Sequence, residues 1–223
     1  MNGISRRRSC LLSRQTGSVR LILCGGVPIS TLAQLRSAEA GCTRCPLYQF
    51  ATHVVPGEGA AHARLMLVGE QPGDSEDLSG RPFVGPAGKI LDRALREAQI
   101  ARRDVYVTNA VKHFKYEMRG KRRLHKRPNT EEIDQCKWWL EQELQLVRPR
   151  VVIALGATAA RSLLGKVVTI SSMRGVNQRL ADGQIAVVTI HPAYLLRLRD
   201  AADKDREYRA FVADLRRGKK LCA

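Results

Sequence analysis

Acidic residues are scarce in this sequence: 21 Asp and Glu stand against 38 Lys and Arg, and none precedes Glu39. The formal charge of +17 and a pI near 10.3 make a polyanion the expected partner. A basic globular protein with no nucleic-acid role is the plainer alternative. Long apolar runs are missing too. None approaches the roughly 20 residues that a bilayer-spanning helix needs, so no membrane partner is expected, and Leu21-Ile22-Leu23 is too short for a secretory core. A nucleotide-binding phosphate loop is absent. Gly85-Pro86-Ala87-Gly88-Lys89 lacks the G-x-x-x-x-G-K-S/T spacing and is followed by Ile90, which fits a tight turn into a helix. The chain also has no H-x-E partner for its C-x-x-C, which excludes the zinc deaminase pattern.

Cysteine is present but dispersed. Cys10, Cys24, Cys42, Cys45, Cys136 and Cys222 are spread over 223 residues, a length that buries its own core without disulfide staples. Cys42 and Cys45 form a C-x-x-C, which suggests metal or redox chemistry in a reducing, cytoplasmic compartment.

Residues 1–28 are rich in Arg, Ser and Gly and are expected to form a basic, disordered extension. Residues 29–219 read as one domain. Ser30-Thr31 can cap a helix running to Gly41, which ends at the C-x-x-C and Pro46. Four short apolar runs, 64–69, 105–109, 150–155 and 185–190, fit buried parallel strands. Helical patterns separate them: one after Gly88, one from Asn129 to Pro149, one from Gly156 to Leu164, and a last from Asp203 to Arg217. Alternating strands and helices predict an α/β fold, a three-layer α/β/α sandwich around a four-stranded, mostly parallel sheet. Glu70 and Gln71, Asn109 and His191 each follow a strand. In open α/β sheets the ligand crevice lies at those carboxyl ends.

The segment from Val105 to Cys136 concentrates unusual chemistry. After the strand ending at Asn109 comes an expected loop with eight cations, Lys112, Lys115, Arg119, Lys121, Arg122, Arg123, Lys126 and Arg127, together with His113 and His125. Such a loop reads as a phosphate-binding surface.

Four pieces together resemble the uracil-DNA glycosylase superfamily, in particular its iron–sulfur, family-four-like branch: Gly69-Glu70-Gln71-Pro72-Gly73, Gly80-Arg81-Pro82-Phe83-Val84-Gly85, Thr108-Asn109 and His191-Pro192. The resemblance covers about residues 31–217. Two details resemble the UdgX-type subgroup. Gln71 stands where the ordinary family-four motif has Ala, and Lys121-Arg122-Arg123-Leu124-His125 is similar to that subgroup's K-R-R-I-H loop. Ala193 departs from the family's usual Ser after His-Pro, which implies altered DNA contact with the imidazole retained.

The resemblance implies uracil excision from DNA, with single strands preferred, by a cytoplasmic, nucleoid-associated monomer. It implies a base pocket in which Phe83 stacks, Asn109 reads N3–H and O4, Gly69 and Gln71 add contacts, and His191 stabilises the departing anion at O2. It implies Glu70 as the carboxylate facing the sugar and His125 as the residue that becomes joined to the deoxyribose. His125 as one more phosphate contact, a glycosylase that turns over with water, and a non-enzymatic DNA-binding module are the competing readings. Lys121, Arg122, Arg123, Lys126 and Arg197 are the expected DNA contacts. Leu195, Leu196 and Arg197 either fill the vacated stack or belong to a helix packed on the core. The family's four cluster ligands map onto Cys42, Cys45, His113 and Cys136, a C-x2-C-x67-H-x22-C set in which His113 replaces a cysteine, and imply a 4Fe–4S cluster. The ligand set alone also permits tetrahedral zinc, or a buried helix cysteine with no metal role.

Overall fold

The computed structural model describes residues 29–223. The extension expected over residues 1–28, with Cys10 and Cys24, lies outside the described residues. Helix α1 (Leu32–Glu39) begins at Thr31, whose hydroxyl accepts from Gln34 N–H while the Gln34 side chain reaches back to the cap backbone. After the C-x-x-C and a turn of 3-10 helix come the two-residue strand β1 (Glu58–Gly59) and the buried strand β2 (Leu65–Gly69). Helices α2 (Asp74–Ser79) and α3 (Pro86–Glu97) lead to β3 (Val105–Asn109). A hairpin, β4 (Tyr116–Arg119) and β5 (Arg122–His125), follows, then α4 (Thr130–Val147), β6 (Val151–Leu155) and α5 (Ala157–Leu164). The chain closes with α6 (Ile170–Met173), β7 (Asn177–Arg179), β8 (Ile185–Thr189), α7 (Pro192–Arg197) and α8 (Ala201–Leu221).

The main sheet has six strands in the order β1-β3-β2-β6-β8-β7. The four in the middle are parallel and correspond to the four apolar runs; β1 and β7 add antiparallel edges. The four-stranded expectation is therefore corrected to six. Both edge strands are two or three residues long and polar (Glu-Gly and Asn-Gln-Arg), so their pairing comes from the sheet beside them and not from an apolar pattern of their own.

Two helical layers cover the sheet. Alternate strand residues such as Leu67, Val107 and Ile153 pack against Leu91, Leu95, Phe211 and Leu215 of α3 and α8. Met66, Val68, Tyr106 and Val152 face Leu140, Ala159 and Ala160 of α4 and α5. Strand β2 pairs with β3 on one side and β6 on the other, so the connections diverge from it in opposite directions. The carboxyl ends of β2 and β6 thus flank a topological switch point, where a crevice must open.

The segment expected as an open basic loop is an ordered hairpin. Tyr116 pairs with His125 at its base, and Arg119 with Arg122 beside the Gly120-Lys121 turn. Charged residues alternate poorly as a strand signal. The order comes from packing, since buried Phe114 lies 5.3 Å from the Tyr116 ring and 6.2 Å from that of His125.

Candidate active site

A cavity of about 540 Å³ opens at the carboxyl end of the sheet, with Glu70, Gln71, Phe83, Asn109, His125 and His191 in its wall. Five segments thus converge on it: the loop after β2, the α2–α3 connection that carries Phe83, the end of β3, the end of β5 and the segment after β8. Gly69 and Asn109 are direct partners across β2 and β3. A Cβ on Gly69 would fall 2.3 Å from Asn109 Oδ1 and 2.6 Å from Phe83 Cζ, so only glycine leaves the amide and ring in place. Phe83 itself holds a left-handed backbone, φ 56°, which costs on the order of 1–3 kcal/mol for such a residue. Its turn is fixed from both sides. Gly88 packs against the Phe83 backbone, and Glu76 accepts from Gly85 N at 2.7 Å and Gly73 N at 3.1 Å. Glu76, unremarked in the sequence, ties together the two loops that bound the cavity.

Asn109 Oδ1 is buried with no hydrogen-bond partner among the described residues. A buried orphan acceptor costs about 1–3 kcal/mol, and in a cavity wall it calls for a ligand N–H. His191 Nδ1 accepts from Ala193 N at 3.2 Å, which leaves Nε2 to carry the proton. Burial pushes its pKa down to about 4, Glu70 opposes that, and His125 and Arg197 reinforce it. The imidazole is a neutral donor at ordinary pH. Its ring lies 6.0 Å from that of Phe83.

Glu70 sits at the rim. One carboxylate oxygen lies 3.4 Å from His125 Nε2. The other accepts from Thr158 Oγ1 and lies 3.7 Å from Arg127 Nε. Burial alone would raise its pKa, but opposing contacts, the hydrogen bonds from His125 and Thr158 foremost, outweigh burial and hold it below the ordinary carboxylate value. An anionic Glu70 beside a half-exposed imidazole can stabilise a cation or take a proton from the ring.

The hairpin is bolted down so that His125 meets Glu70. Gln71 is buried, and its Nε2 donates to the carbonyls of Lys115 (3.2 Å) and Lys126 (3.0 Å) while its Oε1 accepts from Lys115 N (3.1 Å). Its side-chain amide is therefore spent on the hairpin, which leaves its backbone for any substrate contact. Arg123 is likewise committed inward, to Asp74 at 2.6 Å and to fully buried Asp77 at 2.6 Å. Two more of the eight cations are internal. Lys112 is buried against Glu143 at 2.6 Å, and Lys115 pairs with Glu132 at 2.8 Å. The exposed basic surface reduces to Arg119, Lys121, Arg122, Lys126 and Arg127, with Lys126 3.4 Å from Glu117. In α7, Leu195 is core whereas Leu196 and Arg197 are exposed, which separates three residues that the sequence left together.

Cys42, Cys45 and Cys136 are buried in one cluster with Trp139 and Val111. Two N–H groups already point at sulfur: Trp139 Nε1 donates to Cys42 Sγ at 3.1 Å and Lys112 N to Cys136 Sγ at 3.2 Å. Burial drives the Cys136 thiol up to about 12 and raises that of Cys45, so these two thiols favour the protonated form when bare, while a bound cation would hold them as thiolates. His113, beside Lys112, is buried with Nδ1 unpartnered, and burial lowers its pKa against the pull of Asp77. That is the neutral form a metal needs. These residues fit a thiolate-rich group. Among the described residues no three Cys, His, Asp or Glu side chains meet at single-ion spacing.

The sequence model of the uracil DNA glycosylase superfamily matches residues 56–216. The chain belongs to the uracil DNA glycosylase superfamily. It is similar to the type-4 uracil-DNA glycosylase of Thermotoga maritima, 42% identical over 159 residues that cover 71% of this chain and 79% of that protein. The type-4 enzyme of Pyrobaculum aerophilum is 36% identical over 184 residues, 78% of this chain and 90% of the relative. A type-5 uracil-DNA glycosylase from the same organism is 33% identical over 160 residues, 65% of this chain and 66% of the relative. In this superfamily member no helix among the described residues is long and apolar enough to cross a membrane.

Proposed function

We propose that this protein excises uracil from DNA. The carrying observation is the orphaned Asn109 Oδ1 in the wall of the cavity beside Phe83 and His191. Uracil offers N3–H to that acceptor and O4 to the Asn109 amide N–H, while cytosine presents the reverse pattern and leaves buried groups unpaired. The names of the type-4 relatives support the same reaction. A base in a duplex is out of reach, so the nucleotide must be single-stranded or flipped. As the glycosidic bond breaks, its electron pair leaves with uracil N1. Neutral His191 can donate to O2 of that anion. The sugar becomes cation-like at C1′, opposite the carboxylate of Glu70.

The finer proposal concerns what then attacks. His125 Nε2, 3.4 Å from Glu70, stands at the rim where a water would otherwise be activated. Glu70 takes the Nε2 proton, the electron pair so freed on Nε2 forms the C1′–N bond as the glycosidic pair leaves with uracil N1, and the uracil anion then takes a proton from solvent. Held in place, the ring acts at an effective concentration on the order of 10⁵ M or more. The product has no easy leaving step, so each molecule reacts once. Similarity of the Lys121–His125 segment to the UdgX-type loop points the same way. The second reading, turnover with water in place of His125, is favoured by the type-4 names of the relatives.

Cys42, Cys45, His113 and Cys136 would hold a 4Fe–4S cluster. The group would staple the C-x-x-C, the segment after β3 and α4. Loss of iron and visible absorbance in both Cys136→Ser and His113→Ala is the expected result; full iron in His113→Ala would remove His113 from the set.

The test of excision is free uracil released from uracil-containing single strands. Asn109→Ala is expected to lose most of the preference for uracil over cytosine. Equal handling of both bases by the unaltered protein would refute the assignment of the pocket.

A further inference from the structure

A second cavity, about 670 Å³, lies across the rim from the base pocket and shares Glu70, His125, His191 and Arg197 with it. No residue peculiar to its far side is needed for the chemistry above. If uridine occupies one side of this shared ridge, as the proposed function requires, the adjoining nucleotide of the same strand can leave the ridge on the other. The far side carries an ordered cluster of side chains. Arg174 is clamped by Asp214 at 2.7 Å and by Glu207 at 2.8 Å, and Thr189 holds the same Asp214 oxygen. The contact with Arg174 holds the Glu207 carboxylate by Oε2 in the cavity wall. Glu207 Oε1 has no partner among the described residues. Ile170 and the exposed ring of Tyr194 supply flat or apolar cover, and Arg127 and Arg197 stand at the mouth.

We propose that this cavity is a subsite for the nucleobase next to the excised uridine, and that Glu207 makes guanine the base it accepts best. The reading rests on uracil excision as the reaction of the first cavity. A carboxylate offers only acceptors, and each oxygen has two lone pairs, so Oε2 can still accept beside Arg174. Guanine presents two adjacent donors, N1–H and N2–H, to match both oxygens. Adenine and cytosine present one amino group next to a ring acceptor, which the carboxylate repels. Thymine places its single N3–H between two carbonyls. Arg127 and Arg197 would hold the phosphates that flank the base.

The experiment measures uracil release, under single-turnover conditions, from single strands that differ only in the base 5′ or 3′ of the uracil. Guanine on one flank is expected to raise the rate about tenfold over adenine, the discrimination typical of one bidentate contact. Glu207→Gln keeps an acceptor for Arg174 but turns a donor toward guanine, so the advantage should fall below about twofold, within the loss of that contact. Ser171→Trp, at an exposed position in the cavity wall, should level the flanks by filling the space. Equal rates for all four bases on both flanks, or a guanine advantage that survives both substitutions, overturns the subsite while leaving uracil excision intact. No release from any strand overturns the excision reading and the subsite with it.

Discussion

Gln71→Ala separates capture from excision. The Gln71 side chain makes three hydrogen bonds, all to backbone groups at the base of the hairpin that carries His125. A net contribution of about 1 kcal/mol each gives roughly 3 kcal/mol holding the hairpin in register. Losing that shifts the docked-to-undocked ratio about a hundredfold. Arg123 and the Tyr116 hydroxyl, which donates to Phe50 O, remain as anchors, so the hairpin should loosen without the domain unfolding. Asn109, Phe83 and His191 stand on other elements and keep their places. The assay follows two products from one uracil-containing strand: free uracil, and protein that stays on the strand in a denaturing gel. The covalent product should form ten- to a hundredfold more slowly, from that same range of hydrogen-bond energies, while uracil release stays within a few-fold and free abasic strand appears. Wild-type capture in the variant would refute the claim that Gln71 positions His125. A parallel loss of capture, release and melting temperature would reduce Gln71 to a general stabiliser.

Gly69→Ala places a methyl 2.3 Å from Asn109 Oδ1 and should close the base pocket; uracil release should fall at least about a hundredfold, given what misplacement of a reacting group costs, with far-UV circular dichroism unchanged. Lys112→Met leaves Glu143 buried beside no cation and should destabilise the fold by about 3–5 kcal/mol in urea denaturation, with much of it regained in Lys112→Met/Glu143→Leu. His191, held near pKa 4, stays neutral while the same side chain in the unfolded chain takes up a proton below about 6.5. Between those values the unfolded state binds more protons, so this group's contribution to stability is present at neutral pH and is lost as pH falls from about 6.5 toward 4. Uracil release should not drop between pH 7.5 and 5.5 on account of His191; a fall centred near 6.5 that vanishes in His191→Gln would contradict its neutral role.

The parallel core was legible because burial on both faces forces apolar runs: residues 64–69, 105–109, 150–155 and 185–190 lie within a residue of the observed strands. Capping chemistry likewise marked Thr31. The edge strands were not legible, since two or three polar residues carry no periodic signal. Nor was the hairpin, whose order depends on partners 44 or more residues away, Gln71, Asp74 and Asp77. A cation's destination cannot be read from its type. Lys112 and Arg119 look alike in sequence, yet one is buried against Glu143 and the other is exposed. The residues that follow strand ends, Glu70, Asn109 and His191, could be gathered into one crevice from topology alone. Glu76, Thr158 and the Arg174–Glu207 pair could not, because they act through tertiary contacts and belong to no motif.

The most direct measurement is the intact mass of the protein after mixing with a short uracil-containing single strand. Capture by His125 predicts one species per protein, heavier by the strand less one uracil, surviving denaturation and absent in His125→Gly. Protein of unchanged mass, together with more abasic product than protein molecules, would contradict it.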